Sequence, residues 1–374
     1  MSYHGRFEQA KQPKQPGKKK GLKIFLIVIA VILVLLLILA GAAYLYLQSK
    51  LKKMNIIELP KDTYAYTEPT DEVTRPPETG AAETMEATTE ATVPKMTADD
   101  IINILVVGQA ARAGEESYMA DSTMLVSINT YTKEINCMSV LRDSLVKLPD
   151  YKGHQCGKAK FTVCYNLGHL WGDTAGAMEM TNICLKDNFG VEVDYDVEVS
   201  FDGFIKMIDY IDGVDIDLTQ AEADYLNKDT LYVKRTIEPG VQRLQGMEAL
   251  SYARMRKAAG DSESDIKRTE RQRKVVEALL ERFRYMSLSK LNNWVDILMP
   301  MVTTTMTPTD VTKLAAKILP LLPELKIKGY TIPMEGWGDM VDIYDNGEIH
   351  SVMRFDSAKE KKLIRAITEA EVSD

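Results

Sequence analysis

Residues 195–218 read YDVEVSFDGFIKMIDYIDGVDIDL and contain the alternation of elements that decides the fold. Apolar and polar residues alternate in 195–199 and again in 214–218, which predicts two strands. Between them, 203–210 has helical spacing, and Asp202 is the expected N-cap. A strand, a helix and a second strand in so short a stretch indicate an α/β protein.

The same alternation continues on both sides of this stretch. Strands are predicted where short apolar runs end in glycine or a turn, and helices where apolar residues recur with helical period. The predicted strands are 103–108, 123–128 and 135–140, and the predicted helices are 174–189, 246–253, 265–283, 288–301 and 308–322. We therefore expect an α/β layered sandwich, with the apolar run 314–322 packed on its core.

Charge is distributed unevenly along the 374 residues, whose net charge is −8. Residues 1–53 contain ten Lys or Arg and one acid, whereas residues 54–374 contain 36 basic and 53 acidic residues. Nucleic acid is bound through a basic face, because its phosphates need cationic partners. The acidic body is therefore not expected to bind DNA or RNA.

A run of 24 uncharged residues, 24–47, precedes the body. As a helix it would be about 36 Å long, enough to cross a hydrocarbon core of about 30 Å. Seven basic residues precede it and three follow, a bias that places the tail 1–23 in the cytoplasm and the body outside the cell. A cleaved signal peptide is the rival interpretation, because residues 40–42 read AGA, but such peptides have shorter apolar regions. We expect a single-pass anchor in the cell membrane.

Residues 48–97 form the expected linker between anchor and body. Its part 62–93 is rich in Thr, Glu, Pro and Ala and carries eight acids against one base. Such a composition buries too little apolar surface to offset the entropy of ordering it. We expect an extended, self-repelling tether, then a main domain at 98–285 and a helical or αβ extension at 286–374 packed on that domain.

Four cysteines lie on the side of the anchor where disulfides are permitted. None has the spacing of a CxxC motif, and Cys137, in an apolar strand, is expected to be a small buried side chain. Cys156 and Cys164 are the one short-range pair, and a disulfide between them stays open. Cys184 adds no recognisable metal-ligand pattern.

The helix predicted at 265–283 carries an arginine on the face that should be buried. Its apolar residues form one stripe at 100° per residue: Val275, Val276, Leu279, Leu280 and Phe283. With Arg268 at 0°, Gln272 falls at about 40°, near the middle of that stripe, while Arg273 and Lys274 point away. A guanidinium on such a face needs an anionic partner.

Two more arginines, Arg254 and Arg256, lie just upstream and share one side of the chain if its backbone is extended. The alternative is a solvated surface on which these arginines pair with nearby acids, namely Asp261, Glu263, Asp265 and Glu270. The inward phase of Arg268 and Gln272 favours an anion site instead. Planar, bidentate arginine recognition suits phosphate or pyrophosphate.

These residues belong to a series of motifs that resembles the extracytoplasmic domain of the LytR-CpsA-Psr family. In order, the motifs are NILVVG-x-x-x-R (103–112), ADSTMLVSIN (120–129), SVLRD (139–143), KFTVCYN (160–166), FDGFIKMIDYIDGVDID (201–217), G-x-x-x-L-x-G-x-x-ALSYARMR (240–256) and D-x-x-R-x-x-RQ (265–272). Each is weak alone, but seven in order over about 180 residues are specific. The family's fold would be an α-β-α sandwich with a central mixed sheet, preceded by one transmembrane helix.

The resemblance implies an enzyme that moves a glycan phosphate from a polyprenyl-pyrophosphate lipid to peptidoglycan, with the lipid tail in an apolar tunnel between sheet and helices. It implies catalytic head-group residues at six positions: Arg142, Asp143, Arg254, Arg256, Arg268 and Gln272. It further implies substrate contacts at Lys160, Arg112 and Arg271. In phosphoryl transfer such groups mainly position the reactants and neutralise developing charge.

A divalent metal, Mg²⁺ or Mn²⁺, is also implied, with Asp121 as a ligand. The family usually has a second aspartate where this chain has Ala110. Because magnesium needs few protein ligands when phosphates and waters supply the rest, activity is not excluded, but the metal is expected to bind weakly.

Other enzyme classes lack support, because the sequence has no GxSxG, P-loop, HExxH or GxGxxG motif and its four histidines are scattered. A DNA-binding regulator is disfavoured, since the cytoplasmic tail is too short for a helix-turn-helix. The alternative to a transferase is a catalytically weak envelope protein that binds lipid-linked glycan.

Overall fold

The computed structural model of the protein describes residues 55–59, 96–109, 120–256, 258, 264–287, 290, 293, 299–345 and 348–369. The expected anchor, most of the linker, Ala110 and Arg112 lie outside these residues, as does the side chain of Asp121. No helix in the described part of the chain is both long and apolar enough to span a bilayer.

A seven-stranded mixed sheet forms the centre of the molecule. In spatial order its strands are β1 (Asn55–Ile56), β10 (Val302–Thr304), β7 (Tyr195–Ser200), β2 (Ile101–Gln109), β3 (Ala120–Asn129), β4 (Glu134–Val140) and β11 (Lys326–Ile332). Strands β2, β3 and β4 form an antiparallel meander, while β7 runs parallel to β2 and β11 parallel to β4. The predicted α/β class with a mixed central sheet is confirmed.

Both faces of the sheet are covered by helices, which gives the expected three layers. Side chains alternate across each strand, so Leu105 packs with Leu185 of helix α1 (Phe161–Phe189), whereas Ile104 faces the opposite core. That second core includes Val276 of α5 (Ser264–Arg284) and Leu314 of α6 (Pro308–Ile318). Cys137 is fully buried there, as predicted.

Helix α1 begins 13 residues earlier than its predicted start at residue 174 and breaks at Gly172 and Asp173, whose backbone angles are not helical. The break folds its two halves together, and a Cβ on Gly168 would lie 2.5 Å from the carbonyl oxygen of Gly176. These glycines interrupt the apolar periodicity of the first half, which is why the pattern does not reveal it. Cys164 and Cys156 are free thiols, so no disulfide joins them.

A further hydrophobic core lies beside the sheet. It is formed by the hairpin of β8 (Val214–Leu218) and β9 (Gly240–Leu244) and by three helices, α2 (Phe201–Tyr210), α3 (Gln220–Lys228) and α4 (Gly246–Arg254). Helix α5 packs against α4 and β8 on one side and against β11 on the other, and so it joins this further core to the central sheet. The N-cap of α2 is Ser200, whose hydroxyl accepts a hydrogen bond from the Gly203 amide at 3.2 Å, and not the predicted Asp202.

The segment after residue 285 is more than an extension packed on the domain, because β10 and β11 belong to the central sheet. Its apolar run does pack on the core, through Leu314, Ile318, Leu321 and Leu322. A hairpin of β12 (Gly338–Asp345) and β13 (Glu348–Phe355) follows, and helix α7 (Ser357–Thr368) ends the described chain.

Candidate functional site

The site is built on the N-terminal half of α5, where a cation is buried on the apolar stripe. Arg268 is only 4% exposed, and it lies two helical turns before the buried Val275. The predicted helix is present, and Arg268 points inward as its phase predicts. Gln272, one turn further along, is half-buried on the same face.

Arg268 and Gln272 meet a third polar side chain, Arg142, in what we call the inner cleft. This narrow cleft is lined by Ala120, Ser122, Thr123, Val140, Arg142, Phe161, Thr162, Arg268, Thr269 and Gln272. Arg142 follows the end of β4, and its carbonyl oxygen accepts a hydrogen bond from the Thr162 amide at 3.0 Å, so the start of α1 holds this turn in place. The Nε atom of Arg142 is buried and meets no hydrogen-bond acceptor among the described residues.

A larger cavity, the outer pocket, adjoins the inner cleft and has a volume of about 480 Å³. It is lined by Tyr225, Asp229, Tyr232, Ser251, Arg254, Arg256, Arg268 and Gln272. Because Arg268 and Gln272 line both spaces, they join Arg142 on one side to Arg254 and Arg256 on the other. Four guanidinium groups thus line two adjoining spaces, a strongly attractive place for an anion with several negative charges.

The two upstream arginines reach the outer pocket by a route that differs from the predicted one. Arg254 is the last residue of α4 rather than part of an extended segment, and only Met255, which is fully buried, leaves the helix before Arg256. The Tyr232 hydroxyl accepts a hydrogen bond from Nη1 of Arg254 at 3.3 Å, and the guanidinium lies 5.0 Å from the ring centroid of Phe201. These contacts hold Arg254 over the pocket.

Lys160 and Asp143 lie beside the inner cleft rather than in its wall. The Lys160 ammonium contacts the Asp143 carboxylate at 2.8 Å, and the same carboxylate is 4.0 Å from Nε of Arg142. Strand β6 (Lys158–Lys160), paired with β5 (Leu145–Lys147), brings Lys160 to this point. The Asp143 carboxylate therefore lies between two cations, the Lys160 ammonium and the Arg142 guanidinium.

Arg271 is not brought into either space, contrary to the substrate contact that the motif implies. Its guanidinium donates to the Glu222 carboxylate at 2.8 Å and to the Met255 carbonyl at 3.2 Å. Burial alone would raise the pKa of Glu222, but hydrogen bonds from Thr219 and Arg271 outweigh it, and the pKa is lowered. The pair ties α3 to α5 beneath the outer pocket.

Arg273 does not point away from the protein as the helical phase predicts. Its Nη1 donates to the Tyr330 carbonyl at 2.9 Å and to the Thr331 hydroxyl at 2.7 Å, so it clasps strand β11. Lys274 is exposed, as expected. Of the acids proposed as surface partners, Glu270 pairs with Lys267, while Asp261, Glu263 and the Asp265 side chain lie outside the described residues.

The outer pocket also contains four residues that the sequence did not single out: Tyr225, Asp229, Tyr232 and Ser251. Tyr225 and Asp229 are four residues apart at the end of α3, and this i, i+4 spacing is the one local signal that they share a face. Their approach to Arg254 depends on how α3 packs against α4.

The implied metal site falls largely outside the described part of the chain, since both the Asp121 side chain and position 110 do. Within the described residues, no cluster of three His, Cys, Asp or Glu side chains is placed to hold a metal. The described residues therefore supply no metal cage.

The fold and the two spaces define an α/β protein with an arginine-lined cleft between a mixed sheet and helix α5. The profile of the LytR-CpsA-Psr family matches residues 73–361. The chain belongs to this family, as its motifs indicate.

Among curated relatives, the regulatory protein MsrR of Staphylococcus aureus (strain COL) is 30% identical over 252 residues, which cover 67% of this chain and 69% of MsrR. A protein of Oceanobacillus iheyensis named polyisoprenyl-teichoic acid–peptidoglycan teichoic acid transferase TagU is 29% identical over 202 residues, covering 53% of this chain and 57% of TagU.

Solved structures of TagT from Bacillus subtilis have the same fold. TagT bound to LIIa-WTA is 24% identical, with a TM-score of 0.55 over 72% of this chain and 92% of that one. TagT with bound octaprenyl pyrophosphate lipid is 21% identical, with a TM-score of 0.51 over 72% and 91%. At this identity the likeness establishes the fold alone.

Proposed function

We propose that this protein transfers a glycopolymer phosphate from a polyprenyl-pyrophosphate carrier to peptidoglycan at the cell envelope. The observation that carries the proposal is the position of Arg268 and Gln272, which line both the inner cleft and the outer pocket. A diphosphate is the simplest ligand that places negative charge at two adjacent positions. The name of TagU and the lipid bound to TagT support the same chemistry.

The carrier's apolar tail needs a dry surface that leads to the inner cleft. Helix α6 has an apolar face but no fully buried residue, and its Leu314 and Ile318 are half-buried against the same core as Leu280 of α5. Leu280 belongs to α5, the helix that also carries Arg268, so this partly exposed apolar surface includes part of that helix. A polyprenyl chain laid there would bury the remaining apolar area, at about 25 cal/mol per Å².

The residues of the site fit a phosphoryl transfer. The acceptor hydroxyl oxygen bonds to the glycan-bearing phosphorus and releases its proton to solvent. The bond from that phosphorus to the bridging oxygen breaks at the same time, and negative charge grows on the departing polyprenyl phosphate. Arg142 and Arg268, held in a narrow space with little water, would neutralise that charge without reorganising. If Mg²⁺ bound at Asp121, it would add a further positive charge.

A transfer assay with a polyprenyl-pyrophosphate glycan and peptidoglycan tests the proposal. Arg268→Gln should lower kcat by about 100-fold or more, because it removes a preorganised charge from the site. Arg354→Gln, on the exposed face of β13, is the matched control and should transfer at the normal rate. Equal activity of the two variants would refute the role of Arg268.

A second candidate is a catalytically weak protein that binds lipid-linked glycan, which the alanine at position 110 favours because it removes a family carboxylate. The same assay separates the two functions. Tight binding of the lipid without turnover, at saturating Mg²⁺ or Mn²⁺, would identify the binding protein.

The proposed reaction needs the body outside the cell, attached to the membrane by residues 24–47. The full chain should therefore sediment with membranes and resist carbonate extraction, because 24 uncharged residues in a helix would be long enough to span the bilayer. External protease should remove the body and spare the basic tail. A soluble mature chain beginning near residue 43 would instead establish a cleaved signal peptide.

A further inference from the structure

Three of the four cysteines gather around the two halves of α1. Cys164 lies in the first half and Cys184 in the second, while Cys156 precedes β6, the strand that leads into the helix. Cys164 and Cys184 are fully buried in one hydrophobic core, and the half-buried Cys156 packs against that core. Cys137 lies in the core on the other face of the sheet. The helix therefore brings together three thiols and leaves the fourth apart.

The close approach of the two halves places Cys164 against the turn that Cys184 covers. The Sγ atom of Cys164 donates a hydrogen bond to the Met180 carbonyl oxygen at 3.2 Å. In a continuous helix that carbonyl also accepts the amide hydrogen of residue 184, four positions later. Because Cα–Cβ bonds tilt toward the helix N-terminus, the Cys184 side chain covers the turn that contains Met180. The two thiols are accordingly hydrogen-bonding neighbours.

A bond between the two sulfur atoms would sacrifice only weak contacts. The Cys184 Sγ atom accepts a hydrogen bond from Asn188 at 3.5 Å and lies 4.0 Å from the Lys147 carbonyl oxygen. Sulfur is a weak donor and a weak acceptor. The Asn188 side-chain amide keeps two stronger acceptors, the carbonyl oxygens of Lys147 at 2.8 Å and of Cys184 at 3.0 Å. The surroundings therefore stay satisfied if the thiols are oxidised.

Cys156 gives an oxidant access to this pair. Burial, followed by the neighbouring Cys184 thiol, raises the pKa of Cys164 well above its ordinary value, so its thiolate is scarce and shielded from solvent. Cys156 is partly exposed and lies within electrostatic reach of Cys164. Burial and the nearby Asp150 raise the pKa of Cys156 as well, so exchange with an external disulfide is expected to be slow but open to it.

We propose that Cys164 and Cys184 form a disulfide across the two halves of α1, and that a small external disulfide oxidises them through Cys156. The proposed position of the body outside the cell is one where disulfides persist. Residues 161–162, at the start of the first half, line the inner cleft, whereas Leu185 of the second half packs on the sheet. The disulfide therefore fastens a wall of the inner cleft to the sheet.

The electrons balance over three exchanges. The Cys156 thiolate, its proton released to solvent, attacks one sulfur of the external disulfide and expels the other as a thiolate. Cys164, deprotonated in turn, attacks the Cys156 sulfur and expels the second external thiolate. Cys184 then loses its proton, attacks Cys164 and releases Cys156 as a thiolate. The external disulfide has gained two electrons, and the pair of Cys164 and Cys184 has lost them.

Tryptic peptides distinguish the possible bonds. The full-length protein in detergent is purified in reductant, freed of it, exposed to oxidised glutathione, blocked with N-ethylmaleimide in urea and digested. Trypsin should release residues 153–158, which contain Cys156, and residues 161–186, which contain both Cys164 and Cys184. The proposed disulfide leaves peptide 161–186 lighter by two hydrogen atoms and without maleimide, as mass spectrometry will show.

Three variants test the route. Cys184→Ser should abolish the lighter peptide and leave peptides 153–158 and 161–186 joined, because no third thiol completes the exchange. Cys156→Ser should slow the appearance of the lighter peptide by about tenfold, since the remaining two thiols are buried. Cys137→Ser, in the other core, is the matched control and should be oxidised at the wild-type rate.

The wild-type digest decides the proposal even if a variant does not fold. Oxidised wild-type protein in which Cys164 and Cys184 both carry maleimide would overturn the disulfide. An end product that joins peptide 153–158 to peptide 161–186 would overturn it too, because the bond would then belong to Cys156 and Cys164. Equal rates for the wild type and Cys156→Ser would overturn the entry role of Cys156, while the lighter peptide would still support the disulfide.

Discussion

Glu222 and Arg271 form an ion pair of 2.8 Å whose side chains are only 6% and 5% exposed, three residues along α5 from Arg268. Arg268 and Arg271, which belong to one motif, thus lie in different surroundings. Arg271 meets a carboxylate supplied by the fold, whereas Arg268 faces the spaces that we assign to substrate. The pair fixes the helix that carries the site.

Arg271→Ala should lower the free energy of unfolding by about 3–5 kcal/mol, because it leaves Glu222 buried with an uncompensated charge. The double variant Glu222→Gln with Arg271→Met should recover most of that loss. Urea unfolding followed by circular dichroism measures both. A loss under 1 kcal/mol would show that the pair does not support the helix.

Arg142→Lys should weaken binding of a polyprenyl pyrophosphate by about tenfold, because an ammonium lacks the planar fork that contacts two phosphate oxygens. Calorimetric titration with the bare lipid gives the dissociation constant. Lys147→Arg, an exposed change nearby in β5, is the control and should bind normally. If Arg142→Lys matches that control, Arg142 does not contact the diphosphate.

Asp196 makes stability depend on pH. Its side chain is 1% exposed, and burial raises its pKa to about 6 despite hydrogen bonds from Asn182 and Thr305. The folded protein therefore binds a proton that the unfolded chain releases near pH 4, so the free energy of unfolding falls as pH rises from about 4 to 6, by about 3 kcal/mol in all.

Asp196→Asn should remove this pH dependence. The variant and the wild type should therefore have equal free energies of unfolding near pH 4, and the variant should be the more stable protein at pH 7. Unfolding in urea across that range measures the difference. Asp217→Asn, at an exposed position in β8, is the control. Parallel profiles of the wild type and Asp196→Asn would contradict the raised pKa.

Ala110→Asp should lower the metal concentration needed for half-maximal transfer, because it restores the carboxylate that the family usually has at this position. Asp121→Ala should have the opposite effect. Titration of Mg²⁺ and Mn²⁺ against transfer rate measures both, and binding of the metal with and without lipid separates affinity from turnover. Full transfer in excess chelator would mean that no metal is used.

The sequence by itself determined the features that depend on local periodicity. The stripe of α5 placed Arg268 and Gln272 on its inner face, because every residue of a helix has a fixed angular position. Alternation within 195–199 and 214–218 likewise identified β7 and β8. The order of seven motifs identified the family.

Only the tertiary structure decided which arginines meet. Arg142 and Arg268 are far apart in sequence and share the inner cleft because α5 packs over β4, while Arg271 is taken up by Glu222 from α3. Strand β11 enters the central sheet from a distant segment by pairing with β4. Contacts of this kind depend on how whole elements pack, and residue spacing along one element carries no information about the side chain that a neighbouring element presents.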